Sequence, residues 1–132
     1  MHEGGCACGA VRYEAGEDTV RVTHCHCLDC RRSSGAPLLT WAEFPVGEFR
    51  FIKGEPREYS LRDGTTRTFC PQCGSQLTFV DDDQPAVVDV SVGTLDYPSV
   101  VEPEDHVWNS RRLPWLPVAD GLPVYDKSRR HE

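Results

Sequence analysis

Cys70-Pro71-Gln72-Cys73-Gly74 is the stretch on which the fold turns. A C-x-x-C turn brings two sulfurs to one ion while backbone N–H groups point at them. The glycine after the second cysteine accepts the positive φ of the tight turn. One such pair is half a site. Outward from it the chain offers two further clusters and no cysteine elsewhere: Cys6-Ala7-Cys8-Gly9, and Cys25-His26-Cys27-Leu28-Asp29-Cys30. Seven cysteines is an odd number, and high for 132 residues. In an intracellular setting this usage points to metal or catalysis rather than to disulfides.

Cys6, Cys8, Cys70 and Cys73 supply a closed tetrahedral Cys₄ set for zinc. It would staple the N-terminus to the middle of the chain, stabilising the fold on the order of several kcal/mol. Spacing also allows Cys70 and Cys73 to join Cys25 with Cys27 or Cys30, which strands Cys6 and Cys8. In the first partition Cys25, Cys27 and Cys30 remain, a Cys₃ set with no fourth protein ligand. Catalytic zinc sites keep such a position open for water or substrate. A thiol entering there would bind as thiolate. Two other readings stand beside it: a closed site completed by His24 or His26, and an oxidisable cysteine cluster.

Around these clusters the chain is rich in short strand signals. Val11–Glu14, Val20–His24, Leu38–Trp41 and Phe49–Ile52 are β-branched, aromatic or alternating. Arg57–Leu61 and Thr65–Phe69 flank Asp63-Gly64, a strong hairpin signal. Gln76–Val80 and Val87–Val92 read as strands, the last as core. Leu28–Ser34 is the one helical turn expected. The fold class is mainly β, a sheet structure of short antiparallel strands stapled by zinc. From Tyr97 onward the prolines predict irregular chain wrapped over the sheets, anchored by His106-Val107-Trp108 and Pro114-Trp115-Leu116. We expect a single domain over 1–126 and a mobile tail over 127–132.

Fourteen Lys and Arg against twenty-one Asp and Glu give −7, which argues against general nucleic-acid binding. No window has the apolar length of a membrane span. The start Met1-His2-Glu3-Gly4-Gly5-Cys6 has neither basic nor apolar region of a signal peptide, so the expected location is cytoplasmic. The arginine pairs, Arg31-Arg32 among them, read as solvated surface when taken alone.

Three ordered motifs carry a resemblance. They are Gly5 to Tyr13 around Cys6 and Cys8, Cys25 to Pro37, and Phe69 to Ser75 around Cys70 and Cys73; the tail adds Pro103 to Trp108, Pro114-Trp115 and Asp120-Gly121-Leu122-Pro123. Together they resemble the glutathione-dependent formaldehyde-activating family, also called the Gfa or centromere-protein-V domain. The resemblance implies an Mss4-like β-tent. It implies a structural zinc on Cys6, Cys8, Cys70 and Cys73 and a second zinc on Cys25, Cys27 and Cys30, two Zn²⁺ per chain. It also implies carbon–sulfur lyase chemistry, the condensation of formaldehyde with glutathione to S-hydroxymethylglutathione. The expected partners are thus a small thiol, glutathione, and an aldehyde, with no nucleic acid or membrane.

Within that reading the catalytic residues are Cys25, Cys27 and Cys30. Arg31, Ser33 and Ser34 follow the last ligand and are candidate contacts for a peptide-like thiol, against plain capping and solvation. Trp41 is a pocket wall or a core residue. The rival function is a non-catalytic, zinc-stabilised β-tent that presents an interaction face. A redox enzyme of the methionine sulfoxide reductase B kind needs a nucleophilic cysteine outside the metal sites, and none follows Cys73.

Overall fold

The computed structural model describes residues 1–116 and 119–128. The described residues form ten short strands, one α-helix and four short 3-10 turns. The strands are β1 (His2–Gly5), β2 (Arg12–Ala15), β3 (Arg21–Cys25), β4 (Leu39–Pro45), β5 (Arg50–Lys53), β6 (Arg57–Tyr59), β7 (Thr65–Phe69), β8 (Gln76–Asp81), β9 (Val87–Ser91) and β10 (Asp105–Val107). The helix α1 is Leu28–Ser34. A three-stranded sheet has the order β1-β2-β5, and a seven-stranded sheet the order β10-β3-β4-β9-β8-β7-β6. The pairs are antiparallel except β10 with β3, which is parallel.

Alternation decides what each face does. Side chains one residue apart on a strand point to opposite faces. Val22 of β3, Ala42 and Phe44 of β4, and Val88 and Val90 of β9 turn to one side and share one buried cluster with Tyr13 and Ala15 of the small sheet and with Val11 just before it. That buried face is the main core. The odd-numbered neighbours Thr23, Cys25, Trp41, Glu43, Val87 and Asp89 turn to the other side. There they line a cavity of about 740 Å³. A second apolar cluster of Cys25, Cys30, Trp41 and Val107, with Phe79 and Trp108 against it, forms the inner wall.

Among the described residues after Tyr97, expected to be irregular, Asp105–Val107 form a strand, β10, which extends the large sheet alongside β3. Trp115 is no anchor: it is 66% exposed. Trp108 packs as expected, but with φ 54 it is the one non-glycine described residue in the left-handed region. Residues 129–132 of the expected tail lie outside the described residues. Within it the Lys127 carbonyl accepts a hydrogen bond from Trp108 N–H at 3.0 Å.

Candidate metal centres

Two loops of the same design carry the first cluster. After β1, Cys6 N–H donates to the Val11 carbonyl and Gly9 N–H to the Cys6 carbonyl. After β7, Cys70 N–H donates to the Ser75 carbonyl and Gly74 N–H to the Cys70 carbonyl. Gly9 and Gly74 make this turn at φ 81 and 80, where a side chain would be strained. The loops are tied together by Ala7 N–H donating to Ser75 Oγ at 3.0 Å. Val11 N–H reaches Cys6 Sγ at 3.2 Å and Gln72 N–H reaches Cys70 Sγ at 3.4 Å.

The sulfurs of Cys6, Cys8, Cys70 and Cys73 all lie within 4.8 Å of one another. Cys6 and Cys8 are 3.6 Å apart, Cys8 and Cys70 3.8 Å. Ligands at ~2.3 Å from a tetrahedral zinc stand about 3.8 Å apart, so the set fits that ion. No pair is a disulfide. Cys6 and Cys70 are buried and Cys8 and Cys73 exposed, which places the cluster at the rim of the core.

The second cluster sits where β3 runs into α1. Cys25 ends the strand and is buried. Cys27 is the helix N-cap, its sulfur accepting Cys30 N–H at 3.3 Å. Cys30 is the buried residue of the first helical turn. The three sulfurs lie within 4.8 Å of one another, with Cys25 and Cys30 at 3.4 Å. Neither His24 nor His26 joins this set. His24 sits on the face of β3 opposite Cys25, by the same alternation, and His26, just past the strand, turns to His106 with Nε2 at 2.9 Å from its Nδ1. A closed Cys₃His site is therefore not what the described residues form.

Two donors address Cys30 from the large sheet. Trp41 Nε1–H points at its sulfur at 3.5 Å. Arg67, on β7 and only 4% exposed, brings Nη2 to 3.9 Å and rests over the Phe79 ring at 4.8 Å. Hydrogen bonds from Cys25 and Cys27, aided by Trp41 and Arg67, hold the Cys30 thiol down to about 2. The same sharing with Cys27 and Cys30, together with burial, pushes the Cys25 thiol well up. The cluster thus holds negative charge in common, which suits a divalent cation. Three thiolates, a divalent ion and the Arg67 guanidinium sum to zero, as a buried charge cluster requires.

Cys25, Cys27 and Cys30 all open onto the cavity, which also takes Arg21, Arg62, Arg67 and Arg111 in its lining. Asp29 lies there as well, held by Arg62 Nε and Nη2 at 2.8 and 3.0 Å. Of the residues expected to touch a thiol substrate, Arg31, Ser33 and Ser34 do not line it. Ser34 Oγ donates to the Cys30 carbonyl at 2.6 Å and accepts Ala36 N–H, closing the helix end. Ser33 Oγ donates to the same carbonyl and accepts from Arg67 Nη1 at 3.2 Å. The serines cap, and Arg67 is the cation that reaches the sulfurs. Arg67 stands in a Thr-Thr-Arg-Thr-Phe strand whose alternation reads equally well as a solvated face.

A two-sheet, mainly β chain with one four-cysteine and one three-cysteine cluster, the latter walling a cavity, is the class that fold and site define. The chain belongs to the glutathione-dependent formaldehyde-activating enzyme family, whose sequence model matches residues 1–111. The fold is similar to the crystal structure of a Rhodobacter sphaeroides protein, a Northeast Structural Genomics target. That chain is 21% identical, with a TM-score of 0.60 over 92% of this chain and 98% of the other.

Proposed function

We propose that this chain is a zinc-dependent carbon–sulfur lyase-type enzyme that joins a small thiol such as glutathione to an aldehyde such as formaldehyde, and runs the reverse cleavage. The observation that carries the reading is the three-sulfur cluster open to a large cavity, with no fourth protein ligand among the described residues. Family membership supports the same chemistry. A zinc ion held by Cys25, Cys27 and Cys30 would supply an open position that lowers the pKa of a substrate thiol.

The rest is the work of this chain's residues. In the net reaction a carbon–sulfur bond forms, the carbonyl π pair moves to oxygen, and the thiol proton ends on that oxygen as a hydroxyl. Trp41 and Arg67 hold Cys30 from outside the sulfur set, which fixes the direction in which the cluster faces the cavity. The volume of about 740 Å³ is of the size that takes a tripeptide. A thiol tripeptide of the glutathione kind carries two carboxylates and one ammonium. Arg21 and Arg111 on one hand, and Asp81 and Asp83 on the other, give the cavity cations and anions to receive them.

Cys27→Ser tests this. Serine is a better N-cap than cysteine, so the helix keeps its start while the sulfur is lost. The expected result is a folded chain with one zinc fewer, no measurable glutathione binding by calorimetry, and no acceleration of S-hydroxymethylglutathione formation in exchange NMR. A Cys27→Ser chain that binds glutathione and exchanges as well as wild type sinks the reading and leaves the interaction-module alternative.

A further inference from the structure

The face of β3 turned away from the cavity carries a different set of donors. His24 points there because Cys25 points to the cavity, and His26, just past the strand, packs against His106 on the same side. β10 runs parallel beside β3 with His106 opposite His24. The His24 and His106 rings are 4.7 Å apart, and His26 and His106 5.2 Å. The C-terminal segment then brings Asp120 to the same place, its Oδ2 at 2.7 Å from His106 Nε2. One donor atom each from His24, His106 and Asp120 lies within 4.8 Å of the other two. His106 is buried and Asp120 exposed, so the cluster is anchored on the inside and open on the outside.

The second ring nitrogens are also provided for. His24 Nδ1 is 2.8 Å from Thr40 Oγ1, and His106 Nδ1 is 2.9 Å from His26 Nε2. An imidazole that ligates a metal is held this way, its other nitrogen tied to a partner that sets ring orientation and tautomer. Both rings are left with Nε2 as the ligating atom.

We propose that His24, His106 and Asp120 form a third cation site, which takes a divalent first-row transition ion through two imidazole nitrogens and one carboxylate oxygen. Imidazole ligands select zinc, iron, cobalt, nickel or copper, whereas calcium and magnesium take all-oxygen sets. On binding, the His106 Nε2–H to Asp120 hydrogen bond is exchanged for two ligand bonds. His106 then carries its proton on Nδ1 and donates it to His26 Nε2, and the proton that His26 holds on Nε2 before binding moves to its own Nδ1. Bound this way the ion fastens the segment around Asp120 to β3 and β10. The site shares a strand with the three-cysteine cluster but lies on the opposite face, so it is a separate centre.

The test is Co²⁺ titration of the full chain, counting ions by equilibrium dialysis and reading the near-ultraviolet and visible spectrum. The expected result is one equivalent beyond those that bring sulfur-to-cobalt charge-transfer bands. Asp120→Ala and His24→Gln each remove that equivalent and leave the sulfur bands unchanged. Thr40→Val, which keeps side-chain shape but loses the hydroxyl, weakens it about 10–100-fold. No additional equivalent, or one that persists in both ligand variants, overturns the proposal. Missing sulfur bands would count against the proposed function alone, because dialysis still counts the nitrogen–oxygen equivalent.

Discussion

At the scale of the residue, Arg67 and Trp41 do most to shape the three-sulfur centre. Both lie on the large sheet, 11 and 37 residues beyond Cys30 for Trp41 and Arg67, and both aim a donor at Cys30. A guanidinium presents several fixed donors, and a lysine cannot reproduce them. We therefore expect Arg67→Lys and Arg67→Met each to weaken zinc retention at the three-cysteine cluster about 10–100-fold in chelator competition. The four-cysteine cluster should be unaffected and serves as the internal control. Wild-type retention in both variants would show that Arg67 only packs. Trp41→Phe keeps most of the apolar wall and removes one N–H, so its effect on retention should be the smaller.

At the scale of the element, the turns carry the architecture. The strands are three to seven residues long, so sheet order depends on how each connection is closed. Gly54 follows β5 at φ 72, and a Cβ there would stand 2.1 Å from the Ala10 carbonyl oxygen. That backbone contact presses the end of the small sheet against the loop after Cys8. Gly54→Ala meets both the steric and the dihedral objection, so it should destabilise by more than about 1 kcal/mol in denaturant unfolding. Gly47→Ala, where a Cβ meets nothing and φ is ordinary, is the comparison and should be near neutral. Equal midpoints for the two would refute the close-approach argument. The helix α1 shows the same economy: Cys27 opens it and Gly35, at φ 75, closes it.

At the scale of the whole molecule, the two sulfur clusters differ in what depends on them. Cys6 with Cys8 and Cys70 with Cys73 join loops from opposite parts of the chain. Cys25, Cys27 and Cys30 lie within six consecutive residues and close no long loop. An ion held by the first set would restrict far more of the unfolded chain than one held by the second. Cys70→Ser should lower the thermal midpoint much more than Cys27→Ser, and comparable drops in differential scanning fluorimetry would contradict this. Long-range polar ties are weaker. Arg12 holds Asp96 through two hydrogen bonds, and they keep its carboxyl below the usual range. A lowered folded-state value means the stabilisation is present above the ordinary carboxylate pKa and is lost as pH falls through the lowered one. Both side chains are about a third exposed, so this amounts to at most about 1 kcal/mol. Asp96→Asn should lower stability at pH 7 by up to about 1 kcal/mol, and the difference from wild type should vanish as pH falls below ~4.

Local chemistry made much of this legible without coordinates. Cysteine spacing with glycine at the turn named the three cysteine motifs, because a tight turn and a metal ligand are short-range demands, while the grouping into four and three sulfurs is a matter of tertiary structure. Asp63-Gly64 named the β6–β7 hairpin, and alternation named most strands. Leu28–Ser34 reads as the one helical turn, and the structure shows what bounds it, Cys27 at its start and Gly35 at its end. The parallel pairing of β10 with β3 was not legible, since three residues after a proline-rich stretch show no period. Nor was the role of Arg67, because burial of a strand arginine depends on what the opposite element brings. The serines after Cys30 looked like substrate contacts, yet their hydroxyls turn back to the helix carbonyl. The histidine cluster is the clearest case. His24, His26, His106 and Asp120 are spread over 97 residues of sequence, and only strand register and chain return bring them to one point. Ligand identity is a property of neighbours in sequence; ligand geometry is a property of neighbours in space.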